Sequence, residues 1–504
     1  MASSQQTFTC LQCRLKSVRP PRRLFFHTSS RLQADLLQAL SVAPKIKIDI
    51  KHIRQNVLLY EENCITRNYK AQSKHPARIN SLLEEWNVHN GSARGLRTRN
   101  NLVKGRLANQ TSLHDENSDE GNGLDAMSRE QLIGEGKVLK AKISEIEKKE
   151  SAIMLEVESL AAALPNLTSD ETPHGDVPIV TEYILDHPHQ HASEADRVWR
   201  SHVHVGSELG ILDFAGAATT SGWGWYFLRK EAAELEDALV KYTLSVAKKL
   251  GWERISPPSM VYSHIAGACG FQPRDQNGES QIYNVQQSPD DVGRKPQLSL
   301  AGTAEIPLAG MKANTIVEEA ELPIKCIGVS RCYRAEAGSR GVDTKGLYRV
   351  HEFTKVEMFA WTMPSISAQY EIFDEILSIQ TTILKSLGLH CRVLEMPSTD
   401  LGASASRKRD IEAFFPSRTK DDGYGEVTSV STCTDYQTRR LATRLDLRSQ
   451  GGQIVFPYTV NGTAMAIPRV LAAILENGWD EARKEVRIPE VLWPYMDGTK
   501  IIKR

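Results

Sequence analysis

Ten charged or imidazole side chains crowd into residues 332–359, CYRAEAGSRGVDTKGLYRVHEFTKVEMF: Arg334, Glu336, Arg340, Asp343, Lys345, Arg349, His351, Glu352, Lys355 and Glu357. Apolar runs flank them, IKCIGV before and VEMF at the end, so the charges sit on a loop between two strands that want burial. Both signs in so sheltered a place suit a reaction between anions. A carboxylate and a phosphate approach each other only with a fixed cation between them. Arginine fills that role because its planar fork grips two oxygens and stays charged. A ligand ammonium calls for a carboxylate, and a flat base calls for an aromatic or guanidinium face. Arg334, Glu336, Phe353 and Glu357 supply that set within 24 residues.

Strands must hold these groups. Beyond residue 165 the pattern becomes one of short apolar runs, PIKCIGV, KVEMFAW, QIVFPYTV and TAMAI, alternating with helical stretches. This predicts an antiparallel β-sheet flanked by helices, an α+β fold. GWGWYFLRKEAAELEDALVKYTLSVAKKLGW reads as a strand followed by an amphipathic helix, with Gly251 as its stop. Residues 45–50 alternate, with Ile46, Ile48 and Ile50 at period two, before the pattern turns helical.

The region 35–165 has another character. Leu132, Leu139, Ile146, Ile153 and Leu160 recur every seven residues, and Ile143, Val157 and Leu164 fall four after members of that series. Glu150 is the polar break in this coiled-coil seam. Ser128 and Gln131 predict a capping box at its start, and Leu164-Pro165-Asn166 its end. An earlier, weaker helix carries Ile79, Leu82, Trp86, Ala93, Leu96, Val103 and Leu107, with His89 and Asn100 as gaps and three glycines within it. The two predict an antiparallel arm of about 45 Å. Residues 67–106 hold nine lysines and arginines against Glu84 and Glu85, a strip suited to a phosphate backbone, although a solvated helix face is the commoner meaning.

At this point several segments, in order, resemble the seryl-tRNA synthetases, a class II family. RCYRAEAGSRGVDTKGLYRVHEFTKVEM resembles their motif 2, GWERISPPSMV motif 1, GTAEIPLAG the Thr-x-Glu serine signature, and EVTSVSTCTDYQTRR with VNGTAMAIPRVLAAILENG the ATP-proximal strand and motif 3. The likeness spans nearly all of residues 33–504 and is strongest over 199–479. It implies the class II antiparallel sheet with an N-terminal coiled-coil arm, and it implies L-serine, ATP, Mg²⁺ and tRNA(Ser) as ligands of a serine–tRNA ligase. Carried over residue by residue, Thr303, Glu305, Glu357, Asn461 and Thr463 bind serine, with Thr463 reading its hydroxyl. Arg334 bridges the serine carboxylate and the α-phosphate. Ala335, Glu336, Val350 and Phe353 hold the adenine. Glu426, Val427, Thr428 and Ser429 face the phosphates, Glu426 and Ser429 with Mg²⁺, and Arg469 grips the γ-phosphate end. Apart from the resemblance, the basic strip of the arm leads us to expect Arg94, Arg97 and Arg99 to touch tRNA. The resemblance also implies a homodimer through motif 1. One departure is in EVTSVSTC, where the family usually has Ser-Ser-Cys-Ser-Asn. Taken singly, Glu305 and Glu357 would equally fit a structural ion-pair network, and Arg334 and Arg469 a surface.

Composition narrows the rest. The 504-residue chain has net charge zero, but residues 1–34 carry six positive charges and no acid, which leaves −6 for the remainder and argues against a general nucleic-acid coat. That opening is Arg- and Ser-rich, as mitochondrial transit peptides are, and RLFFHTSSRL resembles a matrix-processing pattern; we expect a start near Gln33 and a mitochondrial matrix enzyme. The expected division is thus 1–34 transit peptide, 35–165 tRNA-binding arm and 166–504 catalytic domain. No apolar run reaches the roughly 18 residues of a membrane helix, so no membrane insertion is expected. Eight scattered cysteines fit buried thiols, and neither the lone Cys10-x-x-Cys13 pair nor the histidines of DHPHQH and SHVH have a compact zinc spacing. Two other readings stay open: a non-catalytic tRNA-binding relative, against which Arg334, Glu357, Glu426 and Arg469 speak, and a ligase loading a carrier protein, against which the arm speaks.

Overall fold

The computed structural model describes residues 43–108, 123–124, 127–187, 198–271, 281–335, 346–418 and 421–504. The expected leader, residues 188–197 and residues 336–345 fall outside them, and with these go Glu336, Arg340, Asp343, Lys345, His189 and His191.

Two short helices, α1 (Ile50–Gln55) and α2 (Val57–Thr66), precede the arm. The period-two isoleucines form no strand: the Asp49 side chain accepts from the His52 N–H and starts α1 at Ile50. The arm is α3 (His75–Leu107) against α4 (Arg129–Ala162), 33 and 34 residues long, each about 50 Å by the rise of an α-helix. Glycines within α3 leave it continuous, because its apolar stripe is packed: Ile79, Leu82, Ala93 and Val103 are buried, facing Leu132, Leu139, Ile143, Ile153 and Val157 of α4. The capping box forms, Ser128 Oγ accepting from the Gln131 N–H and Gln131 Oε1 from the Ser128 N–H. The polar break has a partner: Glu150 meets Arg97 of α3 at 2.9 Å.

The remainder is built on an eight-stranded sheet. Its strands are β1 (Ile179–Ile184), β2 (Glu253–Ile255), β3 (Ile324–Tyr333), β4 (Glu352–Thr362), β5 (Cys391–Glu395), β6 (Arg407–Phe414), β7 (Tyr424–Thr434) and β8 (Tyr458–Ala466), in the order β1-β5-β6-β7-β8-β4-β3-β2. Every neighbouring pair is antiparallel except β2 with β3. Helices α5 (His202–Leu209), α6 (Glu231–Lys249), α7 (Glu305–Gly310), α8 (Ile366–Ser386), α9 (Tyr436–Leu441) and α10 (Ile467–Gly478) complete the frame. Helix α6 ends at the expected stop, Gly251 having φ +81°.

The alternation of one central strand decides where the site lies. Along β4, Val356, Met358 and Ala360 enter the large core that α6, α8 and α10 share, while Phe359 and Trp361 face a second core with α7. Phe353, Lys355 and Glu357 share the face of Phe359 and Trp361, so that the charges of KVEMFAW emerge beside α7.

Candidate active site

A cavity of about 490 Å³ opens on that face. It is lined by Thr303, Glu305, Arg334, Val350, Phe353, Glu357, Glu426, Val427, Thr428, Ser429, Asn461, Thr463 and Arg469. Thirteen expected site residues, drawn from five elements and the loops between them, therefore meet at one place. Ala335 lies beside it, its N–H donating to the Gln281 carbonyl at 3.0 Å. Glu336 lies outside the described residues.

Pairing register explains the convergence. Glu357 stands opposite Gly328 on β3, over which Pro257 packs, and opposite Thr463 on β8, whose hydroxyl faces it. Thr463 Oγ1 donates to Glu357 Oε2 at 3.1 Å, and Lys355 Nζ reaches the same oxygen at 2.7 Å and Thr463 Oγ1 at 3.3 Å. Lys355 and Glu357 are buried. Sequence reasoning noted Lys355 without giving it a role; its spacing of two from Glu357 on a strand was the available signal.

Glu305 opens α7 and is buried, its N–H donating to Thr303 Oγ1 at 3.3 Å. Gln437 Nε2 donates to its Oε1 at 2.6 Å, and Thr459 Oγ1 fixes Gln437 in turn at 2.7 Å. Burial, then the charge of Glu357, pushes the Glu305 carboxyl up to about 8, against the pull of Lys355, the Gln437 hydrogen bond and Arg334. The cavity thus presents Glu357 beside its lysine and a second carboxyl, Glu305, held above its usual range.

Arg334 leaves the end of β3 and lies 5.4 Å from the centroid of the Phe353 ring, the two lining one wall. At the other end Arg469, in the first turn of α10, donates from Nη1 to Glu426 Oε2 at 3.0 Å and from Nε to the Tyr348 carbonyl at 3.1 Å. The Tyr348 ring carries the Arg469 and Arg418 guanidiniums at 4.4 and 4.3 Å. Burial acts to raise the Glu426 carboxyl, but Arg469 and Lys408 outweigh it and hold the group down at about 2. Glu426 is therefore ionised, with 39 % of its side chain open to the cavity. The β6–β7 register shifts at this point, Val427 being the extra residue on β7 between the Ile411–Thr428 and Glu412–Glu426 pairs, which puts Glu426 and Ser429 on one face. The departures in EVTSVSTC have packing partners: Thr428 Oγ1 donates to the Thr463 carbonyl, Val430 is buried in the main core, and Thr432 pairs with Ser406 across 3.2 Å.

Of the described histidines in these segments, His187 and His202 pack against neighbours and His204 is exposed. His187 lies edge-on to His390 at 4.8 Å, and His202 joins Glu476 at 2.7 Å while accepting from the Leu347 N–H. Among the described residues no group of three His, Cys, Asp or Glu is arranged for a metal ion.

In the arm, part of the basic strip is buried or paired, while Lys70, Lys74, Arg94, Lys104 and Arg106 are exposed. Arg67 is fully buried, Arg78 pairs with Glu156, Arg97 with Glu147 and Glu150, and Arg99 with Glu135. Of the three arginines expected to touch tRNA, Arg94 is the exposed one, and Arg97 and Arg99 join α3 to α4.

Comparison with known proteins gives this geometry a family. The model of the seryl-tRNA synthetase N-terminal domain matches residues 48–168, and that of the class II core domain (G, H, P, S and T) matches 283–478. The mitochondrial serine–tRNA ligase of Saccharomyces cerevisiae is 42 % identical over 368 residues, 73 % of this chain and 78 % of that one. The chain belongs to the seryl-tRNA synthetase family. The mitochondrial serine–tRNA ligase of Schizosaccharomyces pombe is 38 % identical over 90 % of this chain and 89 % of its own length. The seryl-tRNA synthetase of Pyrococcus horikoshii, solved with ATP, superposes with a TM-score of 0.76 at 29 % identity, covering 90 % of this chain and 99 % of that one. The cytoplasmic serine–tRNA ligase of Naegleria fowleri, solved with AMP, gives 0.75 at 27 % identity, over 91 % and 99 %.

Proposed function

We propose that the chain is the serine–tRNA ligase of mitochondrial translation, working by two successive transfers in the cavity just described. One observation carries the reading: Arg334, Glu357 and Thr463 line a single cavity, with the Thr463 hydroxyl bonded to the Glu357 carboxylate. In the first transfer an oxygen of the serine carboxylate attacks the α-phosphorus of ATP, the bond from that phosphorus to the bridging oxygen breaks, and pyrophosphate leaves. Arg334 spans the two anions and offsets the charge that builds between them. Glu357 and Glu305 receive the serine ammonium with Thr303 and Asn461, and Thr463 reads the hydroxyl. Phe353 stacks on adenine, with Val350, Ala335 and Glu336 along its edge. Val427 and Thr428 lie along the phosphates, and Arg469 takes the γ-phosphate end. In the second transfer the terminal ribose hydroxyl of tRNA attacks the carbonyl carbon of seryl-adenylate, gives up its proton, and AMP departs. No side chain is a nucleophile; the protein's work is positioning and electrostatics.

Glu426 and Ser429 suit Mg²⁺, since the carboxylate stays ionised, opens to the cavity and shares its strand with the hydroxyl. Bound with ATP, the ion would neutralise phosphate charge. The Arg-rich, acid-free opening and the mitochondrial relatives support a matrix location and the division at 1–34, 35–165 and 166–504. Exposed Leu250, beside the motif 1 segment, and exposed Met260, within it, support a homodimer. Among the described residues no helix is long and apolar enough to cross a membrane.

Serine-dependent ATP–pyrophosphate exchange, run beside threonine and alanine, tests the reading. Exchange with serine alone is expected. A folded protein that exchanges with none of them would be a tRNA-binding relative, and one that charges a carrier protein instead of tRNA would be the third kind of ligase.

A further inference from the structure

The helical N-terminal domain enters the reaction cavity itself. Between α2 and α3 the chain passes through residues 67–69, and the Tyr69 side chain lines the cavity beside Cys269, Gly270 and residues 402–405. Two positions earlier, the fully buried Arg67 guanidinium donates to the carbonyls of Gly402 and Asn166. Asn166, just past the other end of the arm, grips the same loop. Its N–H donates to the Ala403 carbonyl at 2.8 Å, and its side-chain amide to the carbonyls of Ser404 and Cys433 at 2.8 and 2.9 Å. Asn63 of α2 ties the two ends together, donating to the Asn166 carbonyl at 3.0 Å. The loop is in turn pressed on Gly270, where a β-carbon would stand 3.0 Å from the Ser404 nitrogen. Root and return of the arm thus converge on a four-residue wall of the cavity. Burying a guanidinium is costly unless its donors are used; one is spent on this wall at Gly402 and one on Asn166, which grips the wall in turn.

The wall stands at the carboxylate end. Cys433, whose carbonyl accepts from the Asn166 amide, donates from its thiol to Asn461 Oδ1 at 3.3 Å, and Asn461 is one of the expected serine-binding residues.

We infer that the arm root is part of the amino-acid pocket: the Tyr69 ring bounds it, and Arg67 is a positioning residue that sets residues 402–405 at the separation serine requires. The inference rests on the serine reading above. It predicts that the N-terminal domain acts in amino-acid activation, a step in which tRNA takes no part.

The test is exchange kinetics on the full chain without tRNA. Tyr69→Ala is expected to raise the serine KM about tenfold while the ATP KM stays within about twofold, the split that marks lost binding of one substrate. Arg67→Lys keeps the charge but not the fork, and its serine KM is expected to move the same way. Should Tyr69→Ala fail to fold, Tyr69→Leu, which retains bulk, is read in its place, with a serine KM raised about threefold. Serine and ATP KM values like those of the wild type, a loss confined to tRNA charging, or a fall in kcat alone would each overturn the inference. A wild-type protein with no serine-dependent exchange would instead overturn the ligase reading on which it rests.

Discussion

The Thr463 hydroxyl and the Glu357 carboxylate, on neighbouring strands β8 and β4, meet at 3.1 Å inside the sheet, with Lys355 closing the triangle at 2.7 Å from the same carboxylate oxygen. An ion pair this enclosed is poor support for stability but a demanding geometric device. Removing one partner leaves the other buried and uncompensated, at about 3–5 kcal/mol. Glu357→Ala is therefore expected to abolish serine activation and also to lower the unfolding temperature. Glu357→Gln keeps the volume and separates the two effects, and exchange by that variant near the wild-type rate would remove Glu357 from the ammonium site.

Thr463→Val tests specificity. A pocket built to hydrogen-bond a hydroxyl discriminates strongly against a ligand that lacks one, whereas an apolar pocket does not. Serine kcat/KM is expected to fall about 100-fold and alanine kcat/KM to change little, so the preference between them collapses. Equal losses for both amino acids would mean that Thr463 supports the strand and does not read the substrate.

Glu305 makes binding pH-dependent. Its carboxyl is raised to about 8 by burial and by Glu357, so at neutral pH the empty site holds it protonated. An ammonium ligand stabilises the ionised form and lowers that value, so serine binding releases a proton. Serine affinity should then rise with pH up to about 8, and titration calorimetry in buffers of different ionisation enthalpy should register the release. For the free protein the sign is opposite: a raised carboxyl contributes stability that is full below its unfolded value and lost as pH climbs towards 8. Gln437→Leu removes a hydrogen bond that favours the ionised form and should shift the serine-binding profile to higher pH.

Much of this was legible in the chain, and the remainder failed for identifiable reasons. Strands β3 and β4 and the α4 seam are local patterns, and period and length reveal them. Glu150 was visible as a polar break, but its partner Arg97 lies 53 residues away on a helix whose facing side the weak α3 pattern did not fix. Gln437 was invisible as a partner of Glu305, since 132 residues separate them and only the fold joins them. Arg67 misled in the other direction. A count of charges cannot distinguish a guanidinium spent on buried carbonyls from one facing solvent, and Asn166, the residue that would have revealed it, reads only as the end of a helix.

Arg94 and Arg97, three positions apart on α3, should therefore behave differently. Arg94 is exposed and is our candidate for a phosphate contact, whereas Arg97 holds Glu150, whose side chain is only 13 % exposed. Charge reversal at Arg94 should weaken tRNA charging in a salt-dependent way, with arm stability and serine exchange intact, because a lost phosphate contact lowers the slope of affinity against salt by about one. Arg97→Ala should act on the arm itself. It leaves Glu150 in the seam without its cation, and a double-mutant cycle with Glu150→Ala should return a coupling of about 1 kcal/mol in thermal unfolding. Charging would fall in both variants, so the stability measurement separates them. A zero coupling between Arg97 and Glu150, together with a salt slope changed by Arg97→Ala, would move Arg97 from the seam to the tRNA face.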